Sequence, residues 1–228
     1  MTTAVVPVKS LAASKSRLLP ELERDQLQAL SLAMLEDLIH ALKATPALEV
    51  VAVATPDDRV AEHARALGAL ALHGPDDGLN PAIDAAAGKL GLADDAPLLV
   101  VLGDVPGALP GELQRLFDVL DNLGPGPAAV LAPSRDGGTS ALLRRPHGAL
   151  ASCFGPQSAA RHREAARKAG VTLEEIPLPS LAIDLDRAED LRGFLAETHG
   201  GERTRALLRG LGWSAQGVAD PAPKANPA

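Results

Sequence analysis

Apolar runs alternate with helical spacings along most of the chain, and that alternation predicts the architecture. Ala4-Val5-Val6-Pro7-Val8 reads as a buried first strand running into a loop. From Pro20 the pattern turns helical, with Leu27, Leu30, Met34, Leu35, Leu38 and Leu42 at three- and four-residue steps. Val50–Ala54 reads as a second strand, and Thr55-Pro56-Asp57-Asp58 caps a helix over about Arg59–Leu67. Ala69–Leu72 is a short third strand, Gly74–Gly78 a turn and Pro81–Leu90 a helix. Leu98–Leu102 is apolar at every position, as a strand buried on both faces requires. A helix at Pro110–Leu120, strands at Ala128–Ala132 and Ser140–Leu143, a helix at Ala159–Ala169 and a strand at Thr172–Ile176 follow. Ala182–Leu185 then leads into a helix starting near Arg187. Such alternation predicts an α/β fold, a mainly parallel sheet with helices on both faces. One domain is expected over residues 1–213, and the Ala-, Pro- and Asn-containing stretch 214–228 reads as a disordered tail.

Composition narrows this picture. With 46% hydrophobic residues in 228, the chain has enough apolar surface for a core, yet only 2% is aromatic, so Leu, Ala and Val must do the packing. The net charge of −7 argues against affinity built on neutralising many nucleic-acid phosphates, but it allows a local basic pocket for one phosphorylated ligand. A single cysteine, Cys153, excludes an intramolecular disulfide framework and a cysteine-cluster metal site. Ala4–Val8 is too short for a signal peptide or a membrane span, so a soluble cytoplasmic protein without membrane partners is expected.

Ligands of such sheets sit beyond the carboxyl ends of the strands, which directs attention to the loops after Val8, Leu72, Leu102, Ala132 and Ile183. The first, Lys9 to Arg17, carries three cations and three hydroxyls in nine residues, a local charge reversal suited to a triphosphate. It lacks the glycine spacing of a Walker loop, and a solvated loop is the competing reading. Asp104, at the tip of the most apolar strand, is well placed to hold Mg²⁺ beside phosphates or, alternatively, to make an Asx-turn before Pro106. Asp184 and Asp186, at an i, i+2 spacing on an extended segment, point to one side and call for a cation. Asp186 also fits a helix N-cap, which leaves Asp184 the better metal candidate. Gly137-Gly138 would let backbone approach a ligand, and Thr139 and Ser140 can donate to a phosphate or carboxylate. Ser158 stands at a helix N-terminus, either as an anion contact or as a plain N-cap. His162, one turn on, faces the pocket or solvent, while His63, His73 and Cys153 have no partner constellation and read as structural.

In order along the chain, Val5-Val6-Pro7-Val8-Lys9 with Lys15-Ser16-Arg17-Leu18, Gly78-Leu79-Asn80, Asp104-Val105-Pro106, Pro133 to Thr139, Phe154-Gly155 with Ser158 and His162, and Asp184-Leu185-Asp186 with Glu189-Asp190-Leu191 form a series of motifs. Together they resemble the 2-phospho-L-lactate or phosphoenolpyruvate guanylyltransferase family, the CofC-like enzymes of deazaflavin coenzyme biosynthesis. The resemblance runs from about Val5 to Leu195. It implies a glycosyltransferase-A-like, Rossmann-related nucleotidyltransferase that uses GTP and Mg²⁺. It places Lys9, Lys15, Ser16, Arg17 and Asn80 at the nucleotide, with Lys15, Arg17 and Asp104 catalytic. It assigns Asp104, Asp184 and Asp186 to the metal, and Thr139, Gly155 and Ser158 to a phosphorylated three-carbon acid. That acid is 2-phospholactate, phosphoenolpyruvate or 3-phosphoglycerate. Two departures stand out: Gly103 where the family usually has Ala, and Ser140 where it usually has Asn. Competing readings are a molybdenum-cofactor guanylyl- or cytidylyltransferase, whose Gly-Gly opening loop is missing here, and a non-catalytic nucleotide-binding regulator. The oligomeric state stays open, a homodimer included.

Overall fold

The computed structural model describes residues 2–218. Seven strands form one sheet: β1 (Thr3–Pro7), β2 (Val50–Thr55), β3 (Leu70–His73), β4 (Leu98–Val101), β5 (Ala128–Pro133), β6 (Thr139–Arg145) and β7 (Thr172–Glu175). Their spatial order is β3-β2-β1-β4-β6-β5-β7. Pairing is parallel except at β6, which runs antiparallel to both β4 and β5. The expected mainly parallel sheet is therefore present. Its one reversed strand matters functionally, because it brings the beginning of β6 to the edge where the parallel strands end.

The helices are α1 (Arg24–Lys43), α2 (Asp58–Ala66), α3 (Leu79–Lys89), α4 (Pro110–Asn122), α5 (Ser158–Ala169), α6 (Ala188–Ala196) and α7 (Glu202–Gly210). Leu35, Leu38 and Leu42 of α1, Val60 of α2 and Leu113 and Leu116 of α4 pack on Ala4, Val6, Leu99 and Val101. Ile83 of α3 and Ala159 and Ala166 of α5 pack on the opposite face, against Val5, Leu98 and Val100. Alternate residues of β1 and β4 thus serve opposite layers, which is why both strands are apolar throughout.

A third apolar cluster lies beside the sheet. Leu18, Leu22, Leu27, Leu30 and Met34 meet Leu191, Phe194, Leu208 and Trp213. It explains two departures from the sequence pattern. The helix predicted from Pro20 begins at Arg24, because Ser16–Leu18 is a short 3-10 turn that drives Leu18 into this cluster. The chain beyond α6 adds α7, whose amides at Arg203 and Thr204 donate to the buried Asp37 carboxylate at 3.0 and 2.8 Å. A hairpin of β8 (Trp213–Ser214) and β9 (Gly217–Val218) follows, where the sequence reads as a tail from Ser214. The rest of that tail lies outside the described residues.

The edge of β6 carries an irregularity with consequences. Ala132 pairs with Ala141, but the next β5 residue, Pro133, pairs with Thr139, so Ser140 is an extra residue in the ladder. Ala141 and Leu143 face the α1–α4 layer, and strict alternation would send Thr139 the same way. The bulge re-aims Thr139 toward α5 instead, where its hydroxyl meets Ser158 and His162.

Candidate active site

The loop from Lys9 to Arg17 leaves the end of β1 and is anchored by the protein's own polar groups. Asp57 caps α2 with one oxygen, accepting from the Arg59 and Val60 amides, and holds the loop with the other, accepting from the Leu11 amide at 2.9 Å and the Ser10 hydroxyl at 3.4 Å. Burial disfavours its charge, but these donors outweigh that and lower its pKa. Ser14 is tied to Ser31 of α1 at 3.0 Å. Two of the three loop hydroxyls therefore organise the loop, and Ser16 remains exposed. The sequence marks Asp57 only as a cap, since its second oxygen acts on a residue 46 positions away. Lys15 adopts a left-handed conformation, φ 52°, costly for a non-glycine residue and sustained here by what its side chain gains.

That gain is electrostatic. The Lys15 ammonium lies 2.7 Å from Asp186 Oδ1 and 3.2 Å from Asp104 Oδ2, and Arg17 reaches Asp186 Oδ2 at 3.4 Å. Burial works against the charge on Lys15, yet the two carboxylates outweigh it and raise its pKa. Asp186 shifts the other way, since Lys15 overrides its own burial and lowers its pKa. The main chain joins the segments as well, the Leu185 amide donating to the Asp104 carbonyl at 3.0 Å. Asp186 is not the cap of α6. That residue is Arg187, and Asp190 accepts from the amides of both Asp186 and Arg187, at 3.1 and 2.7 Å. The Asp186 carboxylate is thereby left to Lys15 and Arg17 instead of to the helix.

Asp104, Asp184 and Asp186 each offer an oxygen within 4.8 Å of the others. Burial, then the neighbouring Asp104, pushes the Asp184 pKa up to about 6. Asp104 Oδ1 is buried and has no hydrogen-bond partner among the described residues. Three converging carboxylates with an unpartnered buried oxygen fit a hard, oxygen-seeking divalent cation such as Mg²⁺. Asp104 and Asp186 border a cavity of about 330 Å³ that Lys9, Lys15, Ser16 and Arg17 also line. A more apolar recess adjoins it, sharing Lys9 and Leu79 and walled by Ala54, Thr55, Leu72 and Ala82 beyond β1, β2 and β3. Gly103 sits where the end of β4 crowds that of β1: a Cβ there would stand 3.1 Å from Val8 Cγ2, so the glycine lets the loop pass close.

Thr139 and Ser158 meet as the sequence suggests, though differently in detail. Ser158 is the first residue of α5, not its cap, and its hydroxyl donates to Thr139 Oγ1 at 3.1 Å. Gln157 precedes it in the left-handed region, φ 54°, and the Gly155 carbonyl accepts from the Ser158 amide at 3.1 Å. His162 faces inward: Nδ1 lies 3.0 Å from Thr139 Oγ1, and Nε2 accepts from the Cys153 amide at 3.0 Å. Gly137 and Gly138 serve their own turn, because a Cβ on Gly138 would stand 2.6 Å from Ser134 Oγ and one on Gly137 3.3 Å from the Gln157 amide. The same turn docks on the aspartate segment, the Arg135 amide donating to the Ala182 carbonyl at 3.3 Å. Asn80, expected at the nucleotide, spends both ends of its amide on Phe154: Oδ1 accepts from the Phe154 amide at 2.8 Å and Nδ2 donates to its carbonyl at 3.1 Å. Asn80 ties the start of α3 to the loop before α5, a pairing between positions too distant for any local pattern to reveal.

Burial first, then the charges of Arg144 on β6 and Arg161 on α5, hold the His162 pKa down at about 4. An unfolded histidine titrates near 6.5, so below that pH the unfolded chain binds a proton that the folded chain refuses. His162 therefore contributes nothing adverse above pH 6.5, and stability falls as pH drops from there toward about 4. The full shift corresponds to a loss on the order of 3 kcal/mol. Urea titrations of the wild type and His162→Asn across that window check this: the two stability curves should converge on acidification, and parallel curves would remove His162 as the cause.

Known proteins resemble this chain over most of its length. Residues 2–224 match the family described as guanylyl transferase CofC like. A phosphoenolpyruvate guanylyltransferase of Sphaerobacter thermophilus is 38% identical over 191 residues, 83% of this chain and 90% of that protein. One from Nocardia farcinica is 39% identical over 224 residues, covering 96% of this chain and 95% of its own length. A crystal structure described as a nucleotide-diphospho-sugar transferase from Desulfovibrio desulfuricans G20 superposes with a TM-score of 0.71 at 18% identity, over 92% of this chain and 95% of that one. A cytidylyltransferase from Leptospira borgpetersenii gives 0.59 at 15% identity over 92% and 94%. The two structures establish a nucleotidyltransferase-like fold. The family match and the identity over nearly the whole length go further: this chain belongs to the CofC-like guanylyl transferase family.

Proposed function

We propose that the protein transfers GMP from GTP to the phosphate of phosphoenolpyruvate, releasing pyrophosphate, with Mg²⁺ as cofactor, as a cytoplasmic step of deazaflavin coenzyme formation. The observation that carries this is the meeting of Lys15 and Arg17 with three aspartates at the strand ends, in a chain whose full-length relatives are phosphoenolpyruvate guanylyltransferases. The apolar recess suits a nucleoside and the polar cavity beside it a triphosphate. An oxygen of the acceptor phosphate attacks the α-phosphorus in line; the new P–O bond forms as the bond to pyrophosphate breaks. The nucleophile is already an anion, so no general base is needed. That agrees with a His162 held neutral and committed to hydrogen bonds. Lys15 and Arg17 offset charge gathering on the leaving pyrophosphate, and the protein otherwise positions the two substrates. Bound at Asp104, Asp184 and Asp186, Mg²⁺ would supply further charge neutralisation at the phosphates.

The test is pyrophosphate release with GTP, ATP and CTP against phosphoenolpyruvate, 2-phospholactate and 3-phosphoglycerate, with products read by mass spectrometry. GTP with phosphoenolpyruvate should give the fastest turnover. Equal use of all three nucleotides, or no accepted acid, removes the assignment. Ser158→Ala probes the acceptor side. Losing the hydroxyl that supports Thr139 should raise the acceptor KM about tenfold and leave the GTP KM nearly unchanged. An unchanged acceptor KM would withdraw Ser158 from that subsite.

A further inference from the structure

Thr139 is buried, yet its hydroxyl proton has no acceptor among the described residues, and the groups around it explain why. His162 Nε2 faces the Cys153 amide at 3.0 Å. An amide only donates, so Nε2 carries no proton, and the single proton of a neutral imidazole must sit on Nδ1. Nδ1–H, 3.0 Å from Thr139 Oγ1, is then the donor in that contact. The Ser158 hydroxyl donates to the same oxygen at 3.1 Å. Both acceptor positions of Thr139 are thereby filled by incoming protons. Its own proton is left over, and no described residue accepts it. A buried donor without an acceptor is costly unless a ligand completes it.

We propose that His162 is a positioning residue for the acceptor: a one-way chain of hydrogen bonds, from the Cys153 amide through the imidazole to Thr139, leaves the threonine hydroxyl proton as a donor for an anionic oxygen of the acid. The ring has little freedom to reverse. Phe154 packs edge-on against it, with centroids 5.1 Å apart at 75°, and Phe154 is itself clamped by the Asn80 amide. Flipping the imidazole would set a carbon against the Cys153 amide and leave that donor unpaired. The bulge at Ser140 completes the device, since without it Thr139 would face the other layer. The sequence leaves His162 undecided between pocket and solvent because neither its tautomer nor its partner is a local property.

The proposal rests on the acceptor reading above, and its test separates the two. Histidine ¹⁵N spectra of the free protein report the tautomer without any substrate, with the His162 signals identified by their loss in His162→Asn. A neutral Nδ1–H imidazole, persisting from neutral pH to about pH 5, is expected. In kinetics, His162→Leu should raise the phosphoenolpyruvate KM about tenfold and leave the GTP KM within about twofold. His162→Asn should recover most of that loss, because its side-chain amide nitrogen stands where Nδ1 stood. A protonated Nε2, an equal KM rise in both variants, or a lower Tm with unchanged KM in both would overturn the positioning role while an active wild type kept the acceptor reading intact. A wild type that neither binds nor uses phosphoenolpyruvate would overturn both. Should the leucine variant not fold, the spectra and the asparagine variant decide alone.

Discussion

Asp104→Asn should reduce Mg²⁺-dependent turnover by about a thousandfold or more, with the chain still folded. The side chain lies just beyond β4, a strand buried at every position, with one oxygen on Lys15 and the other without a partner among the described residues. Asn keeps the size and can still accept from Lys15, so packing is preserved. What it loses is half of the charge pair and an anionic oxygen of the three-carboxylate group. The measurement is single-turnover pyrophosphate release at saturating GTP, alongside thermal melting. A variant within a few-fold of wild type would take Asp104 out of the site. One that fails to melt cooperatively would instead show that the carboxylate is structural.

Lys15→Ala should weaken kcat/KM for GTP by about 2 kcal/mol or more, roughly thirtyfold, the scale of a lost charge-assisted contact in a partly desolvated pocket. Its effect on stability differs from what the loop suggests in isolation. A cation in a solvated loop contributes little to folding, and the sequence gives Lys15 and Arg17 equal standing on that ground. The structure separates them: the Lys15 side chain is 8% exposed and that of Arg17 66%. Removing Lys15 leaves the Asp104 and Asp186 carboxylates facing each other without the ammonium they share. After its burial, repulsion from Asp104 and Asp186 already helps hold the Asp184 carboxyl up at about 6, and without Lys15 less offsets the charge of those two neighbours. A Tm reduction is therefore expected for Lys15→Ala in the metal-free protein and almost none for Arg17→Ala. Added Mg²⁺ should restore part of it. If the two variants melt alike, the buried ion pair is not contributing, and the assignment of Lys15 to the phosphates loses its structural support.

Elements whose identity depends on burial alone were legible from the amino-acid order. Leu98 to Leu102 and Ala128 to Ala132 are apolar at every position, and the strands β4, ending one residue earlier at Val101, and β5 lie there, covered by helices on both sides. The leucines of α1 recur at helical steps, and each lies in a core. The loops at strand ends were likewise predictable, because an α/β sheet collects its ligands there, and the charged side chains of three of them do converge. Periodicity reports how a segment relates to its own environment, and that suffices for these features.

What it does not report is which distant group a side chain meets. The reversed direction of β6 and the bulge at Ser140 follow from pairing with β4 and β5, and together they send Thr139 to α5. Asp57 reaching Leu11, Asn80 closing on Phe154 and His162 held between Cys153 and Thr139 are all contacts of this kind. Asp186 shows the limit most clearly. By local pattern it is a helix cap; in the fold Arg187 holds the cap position, Asp190 accepts the amides there, and Asp186 binds Lys15 across 171 residues of chain. Capping needs only a neighbouring carboxylate, which the segment holds in surplus, whereas an ion pair needs a partner whose place is settled by the packing of the whole sheet. The sequence by itself determined the layers and the loops; the tertiary structure decided which of their polar groups are occupied and which remain open to a ligand.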